Sequence, residues 1–133
     1  MEALLFNPDP SAYLPHRHPF LVLDRILSLR PGVSAVARQQ VSCGAPGYSA
    51  FSLVEAIAQL GGIAVGREGG GGGILAAIDQ AEFQGEPMAG ATLTVAVRIV
   101  KSFGPLHLVE GEVSLDGKII TTARMTLKIG TMP

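Results

Sequence analysis

The sequence predicts an α+β fold in which an antiparallel β-sheet wraps around one long central helix. Three observations predict it. Residues 49–66, SAFSLVEAIAQLGGIAVG, are apolar on nearly every side of a helical projection, so a helix here is buried on nearly every side. From residue 74 onward the chain alternates apolar and polar residues in successive runs, one pair of them joined by Asp116-Gly117, a strong two-residue hairpin signal. The chain has 133 residues, 47% of them hydrophobic and only 16% charged, which gives one domain a real core and leaves apolar surface for self-association.

The elements follow in order. Residues 1–19 hold Pro8, Pro10, Pro15 and Pro19, a density that excludes regular structure beyond a turn, and this segment is expected to lie over the domain surface. Residues 20–29, FLVLDRILSL, suit a strand buried on both faces for part of its length. Pro31-Gly32 marks a turn, and residues 33–42 return as a second strand with a loose apolar phase through Val33, Ala35, Ala37 and Val41. Gly44, Pro46 and Gly47 make residues 43–49 a loop into the helix. In the helix, Phe51, Val54, Ile57 and Ala58 share one stripe. The five glycines at 69–73 lack the Lys-Ser or Lys-Thr of a phosphate loop and the spacing of a dinucleotide-binding turn, so they read as a linker. Strands are then expected at 74–83, at 92–101 with Leu93, Val95, Val97 and Ile99 inward, at 106–115, and at 118–129 with Ile119, Ala123, Met125, Leu127 and Ile129 on the apolar side.

Several functions are disfavoured by composition. A net charge of −1 with no basic tract gives no footprint for nucleic acid. The central helix is too short and interrupted for a membrane span, which needs about 20 apolar residues. Cys43 is the only cysteine, so no internal disulfide forms, and the start MEALLFNPDPS lacks the features of a secretory signal; both suit a cytoplasmic protein. His16, His18 and His107 are not at ligand spacing and no cysteine pair accompanies them, so neither metal nor other cofactor is expected.

The residue that needs explaining is Glu55, the one charge between Ala50 and Gly66. Carboxylates are rarely buried without partner or purpose. A structural role is available: Glu55 lies three residues after Ser52, the spacing of a capping box. A chemical role is also available, because a carboxyl group in apolar surroundings favours its neutral, proton-carrying form, as a general acid requires. Gln59, four residues on, shares its face and can orient it.

Four segments resemble a known family. LPHRHPFLVLDRI at 14–26, SLVEAIAQLGGI at 52–63, LAAIDQAEFQGEPMAGATL at 75–93 and VEGEVSLDGKIITTARMTLKI at 109–129 are similar, in order and in register, to the signatures of 3-hydroxyacyl-acyl-carrier-protein dehydratases. The resemblance implies a hotdog fold, here one domain over 1–133, with a dimer as the basic unit and active sites at its interface. It implies elimination of water from a 3-hydroxyacyl thioester, using a loop His from a GHFPG motif as base and the helix Glu as acid. Glu55 matches that Glu. The loop His has no match: fourteen residues before Glu55 stands Val41, followed by Ser42-Cys43-Gly44.

His16, within the LPHR match, is then the substitute base; its competing role is to anchor the N-terminal segment. Backbone amides near Ser49 and Ala50 are placed to polarise the thioester carbonyl. Phe83 is a candidate wall for the acyl chain, and Gln59 completes the expected substrate-binding set. His18, His107 and Cys43 rank below these. The implied partners are an acyl-carrier-protein or CoA thioester and a second copy of the chain, or a related subunit in a hetero-dimer. Two other functions fit: a non-catalytic hotdog subunit beside an active partner, and an acyl thioesterase.

Overall fold

The structure is a computed structural model that describes residues 6–14, 22–41, 50–66, 73–85, 87 and 90–129. After a 3₁₀ turn at Pro10–Ala12 come β1 (Arg25–Arg30), β2 (Ser34–Gln40), helix α1 (Ala50–Val65), β3 (Gly73–Phe83), β4 (Thr92–Phe103), β5 (Leu106–Leu115) and β6 (Lys118–Ile129). The six strands form one sheet in the order β1-β2-β4-β5-β6-β3, and every neighbouring pair is antiparallel. Helix α1 packs on one face of that sheet, against β2, β4, β5 and β6. This is the hotdog arrangement expected from the sequence.

The core lies between helix and sheet. Leu53, Ile57, Leu60 and Ile63 of α1 meet Ala35 and Ala37 of β2, Leu93, Val95 and Val97 of β4, Val109 and Val113 of β5, and Met125 and Leu127 of β6, all buried. Glycine lets the layers close: a Cβ on Gly111 of β5 would sit 2.4 Å from Ile57 Cγ2. The turn at Pro31-Gly32 is tied to the far end of the helix, where the Gly32 N–H donates to the Ala64 carbonyl at 2.8 Å. Asp116 and Gly117 both have positive φ, 51° and 80°, as a type I′ hairpin turn requires.

From the N-terminal segment, the Pro8 carbonyl accepts from Ile26 N–H, while Tyr13 and Leu14 are buried and Leu14 Cδ2 comes within 3.5 Å of the Cβ position of Gly62.

Three expectations fail locally. The first strand is shorter than 20–29 and is not buried on both faces: it starts at Arg25, forms an edge of the sheet, and has a register shift between Ile26 and Ser28 that leaves Leu27 exposed. Phe51 is not in the buried stripe but 67% exposed in the first turn of α1. In β6 the inward phase changes, because the pairing slips by one residue between Val113/Thr121 and Ser114/Ile119. Ile120 and Thr121 are therefore both buried and Ile119 is exposed, the reverse of strict alternation.

That slip carries a testable cost. Thr121 Oγ1 is buried without a hydrogen-bond partner among the described residues, in a row with Val113 and Val95. Thr121→Val keeps the shape and removes the unsatisfied hydroxyl, so it is expected to stabilise the protein by about 1 kcal/mol. A melting temperature at or below that of the parent would contradict this.

Candidate functional site

Glu55 is the sixth residue of α1, since the helix begins at Ala50. A capping box would need it at the third helical position, so the structural role suggested by Ser52 is excluded. The helix is also not buried on every side. Ser52, Glu55, Ala58, Gly62 and Val65 are partly exposed, three or four residues apart, and Phe51 extends the same stripe. The sheet covers most of the rest and Leu14 packs at Gly62, so Glu55 stands on the one partly exposed stripe of α1.

Its orientation is fixed from the next turn. Gln59 Nε2 donates to Glu55 Oε1 at 3.1 Å, and Gln59 Oε1 accepts the Val22 N–H at 3.0 Å. Gln59 is itself buried. The amide thus works in both directions, holding the carboxyl on one side and residues 22–24 on the other. Gln59 is thus placed to orient the carboxyl, as its spacing on the helix predicts. That segment is in turn fixed to β2: Asp24 N–H donates to the Arg38 carbonyl, and the Asp24 carboxylate accepts the Gln40 N–H. A continuous set of bonds therefore runs from Glu55 to the end of β2.

Val41 lies at that end. Its side chain is buried, its N–H donates to Ala91 at 2.8 Å and its carbonyl accepts from Gly90 at 3.0 Å. The position fourteen residues before Glu55 is thus part of the core and its backbone ladder, with no group that takes up a proton. His16, His18, Cys43 and Ser49 lie outside the described residues, and of Ala50 only its place as the first residue of α1 is described. Phe83 ends the edge strand β3, 48% exposed, with its backbone opposite Thr121. His107 pairs with Ser102 and Leu127 near the β4–β5 turn, and its ring Nδ1 is 2.7 Å from Ser102 Oγ. Partial burial lowers its pKa from 6.5.

One buried polar side chain escaped the sequence reading. Gln39 is 0% exposed, and neither its amide oxygen nor its nitrogen has a partner among the described residues. Each such buried, unsatisfied group costs about 1–3 kcal/mol. The signal was present: the apolar phase Val33, Ala35, Ala37, Val41 is interrupted at this residue.

The opposite face of the sheet carries a shallow trough of about 510 Å³. Arg98, Glu110 and Arg124 stand side by side across β4, β5 and β6, with the Glu110 carboxylate bonded to both guanidiniums. The Arg124 hydrogen bond, then that of Arg98, lowers the Glu110 pKa from its ordinary 4.5. A carboxylate held below its unfolded value adds stability that is present above pH 4.5 and lost as pH falls through the lowered value. Glu110→Gln is expected to flatten the decline of melting temperature below that pH; an unchanged acid profile would show the row to be inconsequential. This trough lies across the sheet from Glu55 and is separate from the candidate site.

Comparison with known proteins agrees with this fold. The family profile of the FabA-like domain matches residues 14–124, from the N-terminal segment into β6. The chain belongs to the FabA-like family. It is 33% identical to the 3-hydroxyacyl-acyl-carrier-protein dehydratase FabZ of Ruminiclostridium cellulolyticum, over 87% of this chain and 91% of that one. Against FabZ of Staphylococcus aureus the identity is 30%, over 97% of both. Among solved structures, the dehydratase heterocomplex ApeI:P from Xenorhabdus doucetiae superposes with a TM-score of 0.77 at 18% identity, covering 95% of this chain and 93% of that chain. A hypothetical thioesterase with coenzyme A from Streptococcus pneumoniae superposes with a TM-score of 0.66 at 14% identity, covering 80% of this chain and 85% of that chain. This FabA-like chain therefore has the hotdog fold and a dehydratase-like sequence along nearly its whole length.

Proposed function

We propose that this FabA-like chain is a subunit of a dehydratase acting on 3-hydroxyacyl thioesters of acyl-carrier protein or CoA, with Glu55 as its general acid. The observation that carries the reading is the Glu55–Gln59–Val22 set of hydrogen bonds, which fixes a carboxyl group on the partly exposed stripe of α1. In the elimination, a base takes the proton on C2, the bond from C3 to its hydroxyl breaks, and Glu55 gives that hydroxyl the proton with which it leaves as water. The product is the 2,3-enoyl thioester. His16, from the LPHR segment, is the base in this reading, and amides at the start of α1 near Ser49 and Ala50 polarise the thioester carbonyl.

The working unit is a dimer. β3 is the last strand of the sheet, eleven residues long and bonded on one side to β6, with Ile78 and Phe83 exposed along it. Pairing of two such edges across a two-fold axis removes the liability of an open edge and covers that apolar surface, including the wall that Phe83 would give the acyl chain. A second reading replaces the partner copy with a related chain that supplies the base. The burial of Val41 favours it, as does the likeness to a dehydratase that works as a heterocomplex. A cytoplasmic location suits either version.

Hydration of crotonyl thioester by the purified chain tests the first reading. Loss of the enoyl absorbance, abolished by His16→Ala, supports it. Activity retained in that variant removes His16 as the base. Activity that appears only when a histidine-bearing dehydratase subunit is added gives the second reading. Thiol release without hydration makes the protein a thioesterase.

A further inference from the structure

We infer that Gln39 is a substrate-contacting specificity residue whose side-chain amide receives the 3-hydroxyl and the thioester carbonyl of the acyl group. The inference rests on the dehydratase reading and adds to it the means by which a hydroxylated acyl chain is told from a plain one.

Position comes first. Along β2 and just beyond it, Ala35, Ala37, Gln39 and Val41 are buried while Arg38 and Gln40 are exposed, so Gln39 faces the helix side of the sheet. The two residues that flank it are those to which Asp24 is bonded, through the Arg38 carbonyl and the Gln40 N–H. Two residues before Asp24, Val22 is held by Gln59, which holds Glu55. Gln39 is therefore on the layer that faces α1, at the stretch of β2 to which the Glu55 hydrogen-bond set is anchored.

Chemistry comes second. The amide is fully buried and neither of its polar atoms has a partner among the described residues. Native proteins rarely leave such a group unsatisfied, and those that remain call for an explanation in function. A primary amide offers an acceptor and a donor on one carbon. A 3-hydroxyacyl thioester offers the complement two carbons apart: a hydroxyl that donates, and a carbonyl that accepts. The rest of a simple acyl chain is hydrocarbon and satisfies neither atom. A saturated acyl thioester has the carbonyl alone, so it leaves the Gln39 oxygen buried and unpaired. A site built to hydrogen-bond a hydroxyl discriminates strongly against the ligand that lacks it, for that reason.

The test compares 3-hydroxybutyryl-CoA with butyryl-CoA by calorimetry, on the oligomer as it forms in solution, in a Glu55→Gln background so that nothing turns over. With Gln39 present, the hydroxylated ligand is expected to bind at least about tenfold more tightly. Gln39→Met fills the same space without polar atoms. It is expected to abolish that preference, by weakening 3-hydroxybutyryl-CoA at least about tenfold, and to melt at or above the parent temperature. Three results overturn the inference while leaving the dehydratase reading intact: equal affinities with Gln39 present, a preference that survives in the Met variant, or a lower melting temperature in that variant, which would reveal a structural partner for the amide. If neither acyl group binds any version of the protein, whether carried on CoA or on acyl-carrier protein, the dehydratase reading falls, and the role of Gln39 with it.

Discussion

Glu55→Gln is expected to lower kcat/KM for hydration of an enoyl thioester by about 10²–10⁴-fold, the usual worth of a positioned acid–base group. The substitution isolates proton transfer. Glutamine keeps the volume of glutamate and can still accept the hydrogen bond from Gln59 Nε2, so the link to Val22 stays in place. Melting temperature and thioester binding should change little while turnover is lost. Retention of more than about a tenth of the activity would remove Glu55 as the acid and with it the central claim for this site. A loss confined to KM would assign it to binding alone.

Gly111→Val should be the most damaging core substitution for a residue that touches no candidate site atom. A Cβ at Gly111 already meets Ile57 Cγ2 at 2.4 Å, Val97 Cγ1 at 3.0 Å and the Ala96 carbonyl oxygen at 3.2 Å. Valine adds two further methyl groups to that space, and overpacking of this kind costs about 1–3 kcal/mol. For a domain of this size that lowers the melting temperature by several degrees per kcal/mol. Ile57 lies two residues beyond Glu55 on α1, so a helix pushed off the sheet carries the carboxyl with it, and activity should fall along with stability. Gly61→Ala is the contrast. Its nearest obstacle is Leu127 Cδ1 at 2.8 Å, the movable end of a side chain, and replacing a helical glycine with alanine recovers up to about 1 kcal/mol. A Gly111→Val protein as stable as the Gly61→Ala protein would refute the close approach of α1 to β5.

The elements legible in the sequence were those set by a repeating pattern. Leu93, Val95 and Val97 alternate strictly and face the helix as expected. Asp116-Gly117 makes the expected turn, because few other pairs adopt two successive positive φ values without strain. The helix was legible because its apolar residues are too many for one face of a strand. Illegible were the places where pairing slips. Ile119 and Ile120 exchange sides because β6 loses a residue of register against β5, and nothing in IITT marks where that happens. The run at 20–29 is apolar enough for a strand buried on both faces in part, yet Leu27 falls exposed at an irregularity in an edge strand. Phe51 shares a helical phase with buried residues, but the first turn of α1 leaves it exposed.

For the site, the sequence by itself determined the candidate carboxylate and the amide that bonds it. One carboxylate in an apolar helix, with an amide four residues on, is a local pattern, and the helix pitch brings the two together wherever the helix packs. Only the tertiary structure decided what surrounds them. It placed Glu55 on the partly exposed stripe rather than at a cap, buried Val41 in the sheet ladder, gave Gln59 its second partner at Val22, and left the Gln39 amide inside without one. The physical reason is range. Helix periodicity acts within a turn or two, whereas the partners of Gln59 and Val41 are 37 and 50 residues away in the chain and are brought there by strand order and by the hydrogen bonds from Asp24 to β2.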